Sequence, residues 1–228
     1  DRQAADLVPC FTLGTRIATN RGEKRVEDLE SGDQVMTRDI GLQEVRWTGR
    51  RDVTADDMTV SPEWLPIMIT AGALGPNVPE ADLLLSPNHR VLISGERASL
   101  FFGENEVLVA AKHLIQLEGV DIAHDIQSVV YYHFLLSQHE IVLSNGTETE
   151  SLYTGKEAIK AVTPQSREEI LTIFPELNDI DYRALPCRRL VNGRKGRQLV
   201  VRHVKNRKLM LDPSRHADQA HLSGPAQM

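Results

Sequence analysis

An all-β body with a small α-containing C-terminal appendage is the fold class this sequence predicts, and three observations carry the prediction. Turn-forming residues punctuate the chain roughly every ten to twenty positions as far as Leu152, the rhythm of many short strands. The segments between them alternate apolar with polar or run apolar over only a few residues. After Tyr153-Thr154-Gly155 the period becomes helical, which sets the boundary.

Each element follows from its residues. Arg16-Ile17-Ala18-Thr19 ends at Asn20-Arg21-Gly22, and Gln34-Val35-Met36-Thr37 begins after Glu30-Ser31-Gly32-Asp33. Val91-Leu92-Ile93 lies between Ser86-Pro87-Asn88 and Ser94-Gly95, and Val107-Leu108-Val109-Ala110 follows. Glu140-Ile141-Val142-Leu143 runs into Asn145-Gly146, a pair suited to the positive φ of a tight hairpin turn. Ser166 through Phe174 has helical periodicity with Ser166 as its N-cap. Leu199-Val200-Val201-Arg202 reads as a strand or the end of a short helix, and Ser214 to Met228 as a frayed or disordered tail. The expected division is therefore 1–9 as the end of an upstream segment, 10–153 as the β body, 154–213 as a basic mixed helix and strand appendage, and 214–228 as tail. No fixed-period repeat is present.

A chain of 228 residues can bury one good core and carry a terminal appendage. With no apolar run approaching the roughly eighteen residues of a spanning helix, membrane insertion is not expected. Asp1 to Pro9 lacks the basic and apolar regions of a signal peptide and reads as the trailing end of something longer. Cys10 and Cys187 allow at most one internal disulfide, too few for a disulfide scaffold. Cys187 is expected to be incidental, although its flanking cations would lower its pKa if it were exposed. The net charge of −6 conceals ten Lys and Arg from Arg183 to Lys208 with no acidic residue among them. That run lacks interleaved aromatics for base stacking, so a solvated or internally paired face is expected in preference to nucleic-acid binding.

The chemistry is concentrated at Cys10, at the head of the β body, and at Ser86-Pro87-Asn88-His89, between two strand-like runs. A thiol attacking a peptide carbonyl needs thiolate character, a group to protonate the leaving nitrogen and donors for the oxyanion. When the attacked carbonyl belongs to the preceding residue, the product is a thioester formed by an N-to-S acyl shift, and the bond in question is Pro9–Cys10. The plainer readings are that Cys10 is a small buried hydrophobe, that Ser86 caps a turn and that His89 is a satisfied core histidine. His133 and His139 are evenly spaced and would share one face of a continuous strand, a parity that a break at Ser137-Gln138 would spoil. No tight ligand pair such as His-x-x-x-His joins His89, His133 and His139, so no metal or other cofactor is expected.

Cys10-Phe11-x-x-Gly14-Thr15-x-Ile17-x-Thr19, with Val26-Glu27-Asp28-Leu29-x-x-Gly32-Asp33 and Ser86-Pro87-Asn88-His89, resembles the Hint domain of hedgehog autoprocessing domains and inteins, and most of all bacterial Hint-domain proteins. The resemblance runs from Cys10 to about Leu152 and implies a horseshoe of short strands. It implies that Cys10 is the nucleophile and that Ser86 and His89 correspond to the family's Thr-x-x-His motif, whose histidine protonates the scissile amide. His133 would stand near a position where inteins carry aspartate, and His139 at a later histidine. Glu150-Ser151 replaces the His-Asn of splicing inteins, which implies single-turnover release of the upstream segment without splicing. The partners so implied are the chain's own upstream polypeptide and water or a small nucleophile, acting in a monomer; secretion from a bacterium is implied by the family alone. Pro9 departs from the glycine of many inteins, and its ring restricts φ beside the scissile bond. The alternative is a non-cleaving binding module on the same scaffold whose basic tail engages an anionic partner.

Overall fold

The structure is a computed structural model, and it describes residues 8–154, 159, 162–179 and 183–205. Residues 1–7 and the expected tail at 214–228 lie outside these. In chain order the first strands are β1 (Phe11–Thr12), β2 (Arg16–Thr19), β3 (Gly22–Arg25), β4 (Gln34–Thr37), β5 (Gly41–Glu44), β6 (Trp47–Val53), β7 (Ile67–Ile69) and β8 (Leu83–Leu85). They are followed by β9 (Arg90–Ser94), β10 (Glu106–Ala110), β11 (Val120–Ile122), β12 (Val129–Leu135), β13 (Ile141–Ser144), β14 (Thr147–Glu150) and β15 (Arg189–Leu190). Among the described residues the α-helices of more than one residue are α1 (Ala55–Val60), α2 (Glu96–Phe102), α3 (Pro164–Ile173) and α4 (Gly193–Lys205).

The strands form two sheets, ordered β11-β7-β8-β1-β12-β6 and β15-β10-β9-β14-β13-β2-β4-β5, with β3 paired to β2. The protein is thus mostly β, as its punctuation predicts. The β13–β14 hairpin shows how local chemistry sets a turn, for Asn145 and Gly146 adopt φ of 45° and 71°. A Cβ on Gly146 would also lie 2.6 Å from the Glu80 side chain, so glycine serves both the backbone and the packing. The Asn145 carboxamide ties the turn down, accepting from the Arg16 N–H at 2.8 Å and donating to the Asp82 carbonyl at 2.8 Å.

Phe11, Ile17, Val35, Leu83, Leu85, Val91, Val109 and Val142 belong to the principal core. A second buried cluster gathers Val8, Cys10, Trp47, Tyr131 and Leu135 with Ile170 and Phe174 from the C-terminal region. Burying one such large side chain contributes about 1.5–3 kcal/mol, and α3 is seated on this cluster through Ile170 and, at its C-cap, Phe174.

Two details differ from the sequence reading. Helix α3 starts earlier than a Ser166 cap requires: Pro164 occupies its first turn, where a missing N–H costs nothing, and the Thr163 hydroxyl accepts from the Ser166 N–H at 3.1 Å. Leu199 to Arg202 is helical, because Gly196, Leu199, Val200 and His203 form the buried stripe of α4 at i, i+3, i+4 and i+7. Within the basic run, Arg188 pairs with Asp39 at 2.7 Å and Glu106 at 2.8 Å, and Arg189 with Glu104 at 3.3 Å. No described helix is long and apolar enough to cross a membrane.

Candidate active site

Sheet register assembles the site. Strand β1 lies between β8 and β12, and Phe11 pairs with Leu85 on one side and Tyr132 on the other. One step back along both antiparallel ladders, Cys10 comes level with Ser86 and His133. The Cys10 N–H donates to Ser86 Oγ at 2.9 Å, and that hydroxyl donates to the Val8 carbonyl at 3.1 Å. Cys10 Sγ lies 3.1 Å from the same carbonyl and 3.4 Å from His133 Nδ1. The Ser86 N–H donates to the Cys10 carbonyl at 3.0 Å, and the His89 N–H closes the Ser86–His89 turn at 3.0 Å. One hydroxyl therefore bridges both ends of the buried Val8–Cys10 segment, with a thiol and an imidazole beside it.

The surroundings hold the groups neutral. Burial pushes the Cys10 thiol far up, against the opposing charge of Arg51 and the Ser86 hydrogen bond, so it rests protonated. Burial, reinforced by Arg51, lowers His133 to about 4, so at neutral pH its imidazole is uncharged and its Nδ1 can accept the thiol proton. The indole of Trp47 stacks on His133 with centroids 5.2 Å apart. Gly49 faces His133 across β6 and β12, and a Cβ there would lie 2.7 Å from His133 Nε2.

His89 is lowered to about 4 by burial, against the Glu150 charge and the Cys10 and Glu150 carbonyls, which favour its charged form. Its Nε2 lies 3.1 Å from the Glu150 carbonyl, Phe11 meets its ring edge-on at 4.4 Å, and Nδ1 makes no hydrogen bond of ordinary geometry. Cys10 thus touches both Ser86 and His133, from opposite sides of β1, with His89 one turn beyond Ser86.

His139 belongs to a different cluster. Strand β12 ends at Leu135 and the chain bends at Ser137 and Gln138, so the even spacing from His133 does not put His139 on the same strand face. Its Nδ1 accepts from the Cys187 N–H at 3.2 Å, which leaves Nε2 to donate to the Glu150 carboxylate at 3.1 Å. Arg90 adds its N–H at 2.9 Å and its guanidinium at 3.0 Å to that carboxylate. Burial opposes the Glu150 charge, yet the His139 hydrogen bond and Arg90 outweigh it and hold the carboxyl below its usual range. Cys187 is half-buried, and burial raises it to about 12 despite Arg188, so the exposed, activated case does not apply. Among the described residues no group of three or more His, Cys, Asp or Glu is arranged to hold a metal ion.

Sequence reasoning passed over Trp47, Gly49, Arg90 and the carboxylate of Glu150 as contributors. The available signal was modest: Trp47 and Gly49 are two apart on one strand, hence on one face.

A buried cysteine thus opens a strand between a hydroxyl and an imidazole on a two-sheet β scaffold. A family model described as Hint domain matches residues 9–156, and the chain belongs to that family, an autoprocessing type of domain. Among solved structures it is similar to the gp41-1 intein, at 11% identity and TM-score 0.38 over 62% of this chain and 97% of that one. It is also similar to a bacterial intein-like domain from Clostridium thermocellum, at 17% identity and TM-score 0.37 over 63% of this chain and 97% of that one. A DnaB intein from Synechocystis gives 11% identity and TM-score 0.38 over 63% and 98%. The family assignment rests on the family model. No curated protein matches the chain.

Proposed function

We propose that this chain cuts its own backbone at Pro9–Cys10 through a thioester and releases the segment upstream of Cys10. Cys10 Sγ attacks the Pro9 carbonyl carbon as the thiol proton passes to His133 Nδ1. The tetrahedral intermediate collapses with rupture of the Pro9 C–Cys10 N bond. The departing nitrogen gains one proton in exchange for the one the thiol lost: His133 gives its proton up and the His89 imidazole, neutral at rest, relays one to that nitrogen, while Ser86 Oγ, already hydrogen-bonded to it, orients it. Cys10 Sγ then carries the Pro9 acyl group as a thioester and Cys10 has a free amine. Water or a small nucleophile next attacks the thioester carbonyl, restoring the thiol and freeing the upstream segment with Pro9 at its C-terminus.

The observation that carries this reading is the convergence of the Cys10 thiol, the Ser86 hydroxyl and the His133 imidazole on the buried stretch from Val8 to Cys10. Hint-family membership supports it. Release without splicing is supported by Glu150 and Ser151, which stand where splicing inteins carry His-Asn. The Glu150 carboxylate is committed to Arg90 and His139, and Ser151 Oγ accepts from the Glu140 N–H at 3.0 Å. To test the reading, a reporter is fused upstream and its release followed with and without dithiothreitol. Thiol-accelerated release from wild type and none from Cys10→Ala is expected, and equal negligible release from both would overturn the reading.

A non-cleaving module that binds an anionic partner is the second reading, favoured by the exposed Arg194, Lys195, Arg197 and Arg202 of α4. It predicts salt-dependent binding that neutralising those four residues abolishes.

A further inference from the structure

Helix α3 lies beyond residue 156, where the family match ends, yet it reaches back to the nucleophile. Glu169 Oε2 accepts a hydrogen bond from Trp47 Nε1 at 2.9 Å. Trp47 stacks on His133 with an interplanar angle of 24°, and His133 Nδ1 faces Cys10 Sγ at 3.4 Å. Ile170 and Phe174 join Val8, Cys10 and Trp47 in one buried cluster, so the helix that carries Glu169 is seated against the site itself.

We infer that Glu169, acting through Trp47, is a positioning residue that holds His133 on the Cys10 thiol, which makes the segment after the Hint domain part of the processing site. This rests on the thioester reading. The physical argument is one of orientation. An indole has a single polar donor, and leaving a buried one without an acceptor costs its desolvation, which favours turning it toward water. Trp47 is the platform of His133, and Gly49 offers no Cβ to hold either ring in its place. Releasing the indole therefore releases the imidazole, whose contact with sulfur is the one the proton must cross.

The test uses the full chain with an upstream reporter and hydroxylamine as thioester acceptor. Glu169→Ala should slow release about fivefold, the scale of one hydrogen bond, and Glu169→Gln, which retains an acceptor oxygen, should restore it. Glu168→Ala, an exposed change one residue away, should leave the rate at wild type. In a Trp47→Phe background Glu169→Ala should have no further effect, because the interaction it removes is already gone. A merely structural role for Glu169 would slow both backgrounds equally, and that outcome, or a wild-type rate for Glu169→Ala, overturns the inference. If wild type and Cys10→Ala are equally inert, the thioester reading fails, and the positioning claim is then read by NMR titration of His133 in the Cys10→Ala chain. There Glu169→Ala should raise the His133 pKa from about 4 toward 6.5 as water enters, and Glu169→Gln should not. An unmoved titration with Glu169→Ala would overturn the inference on its own.

Discussion

Gly49→Ala probes the geometry around Cys10, the proposed nucleophile, without changing the chemistry of any proposed reacting group. Gly49 pairs with His133 across β6 and β12, and an added methyl would lie 2.2 Å from Trp47 Cη2, 2.7 Å from His133 Nε2 and 2.8 Å from Trp47 Cζ2. Carbon atoms rest about 3.5–4.0 Å apart, so one or both rings must retreat by about 1 Å. Neither has slack: Trp47 is buried and bonded to Glu169, and His133 is buried against Cys10. Moving Nδ1 by that amount takes the 3.4 Å contact with Sγ out of hydrogen-bonding reach. A misplacement of about 1 Å costs on the order of a hundredfold in rate, and overpacking of this kind destabilises by about 1–3 kcal/mol. The assay is reporter release under hydroxylamine at a temperature where circular dichroism finds the variant folded. A folded Gly49→Ala chain that releases its reporter at the wild-type rate would refute the claim that the Cys10–His133 contact drives the first step.

Two further predictions follow from the buried titratable groups. His89 and His133 each fall from 6.5 to about 4 on folding, so between those values the unfolded chain binds more protons and stability rises with pH. Their contribution is full above pH 6.5 and is lost as pH falls toward 4, at most ~3 kcal/mol for each group. The urea midpoint should therefore fall between pH 7 and pH 5, and a constant midpoint would contradict the burial of both imidazoles as neutral groups. Glu150→Ala leaves Arg90 and His139 without their shared carboxylate, a loss of about 3–5 kcal/mol. A fall in Tm of about ten degrees is expected for a chain of this size, and a fall of under two would mean that the cluster contributes little.

The legible parts of this protein are those whose cause is local. Asn145-Gly146 announces its hairpin because the turn needs positive φ at both residues, and Gln34–Thr37 and Val107–Ala110 are strands where alternation and turn residues put them. Ser166 reads as the α3 cap because it is a good cap in isolation, whereas Thr163 followed by Pro164 is the better start and caps the helix. The Hint family was legible from its motif, and the family match over residues 9–156 bears that out. The contacts of the site were not, because they are made by register between strands far apart in sequence: Ser86 and His133 meet Cys10 across separations of 76 and 123 residues. His139 illustrates the limit of spacing arguments, since its parity with His133 holds only for an unbroken strand and β12 stops at Leu135. Glu150 registered as a departure from a splicing motif, but its pairing with Arg90 depends on β14 lying beside β9, which no local pattern encodes.

The most direct test of the account is to identify the new chain ends after hydroxylamine treatment of the full chain carrying an upstream segment. Mass spectrometry should find the upstream product ending in a Pro9 hydroxamate and the remainder beginning at Cys10, with neither from Cys10→Ala. An upstream product that ends in a plain carboxylate under excess hydroxylamine, or a cut at any other bond, would contradict a thioester on Cys10.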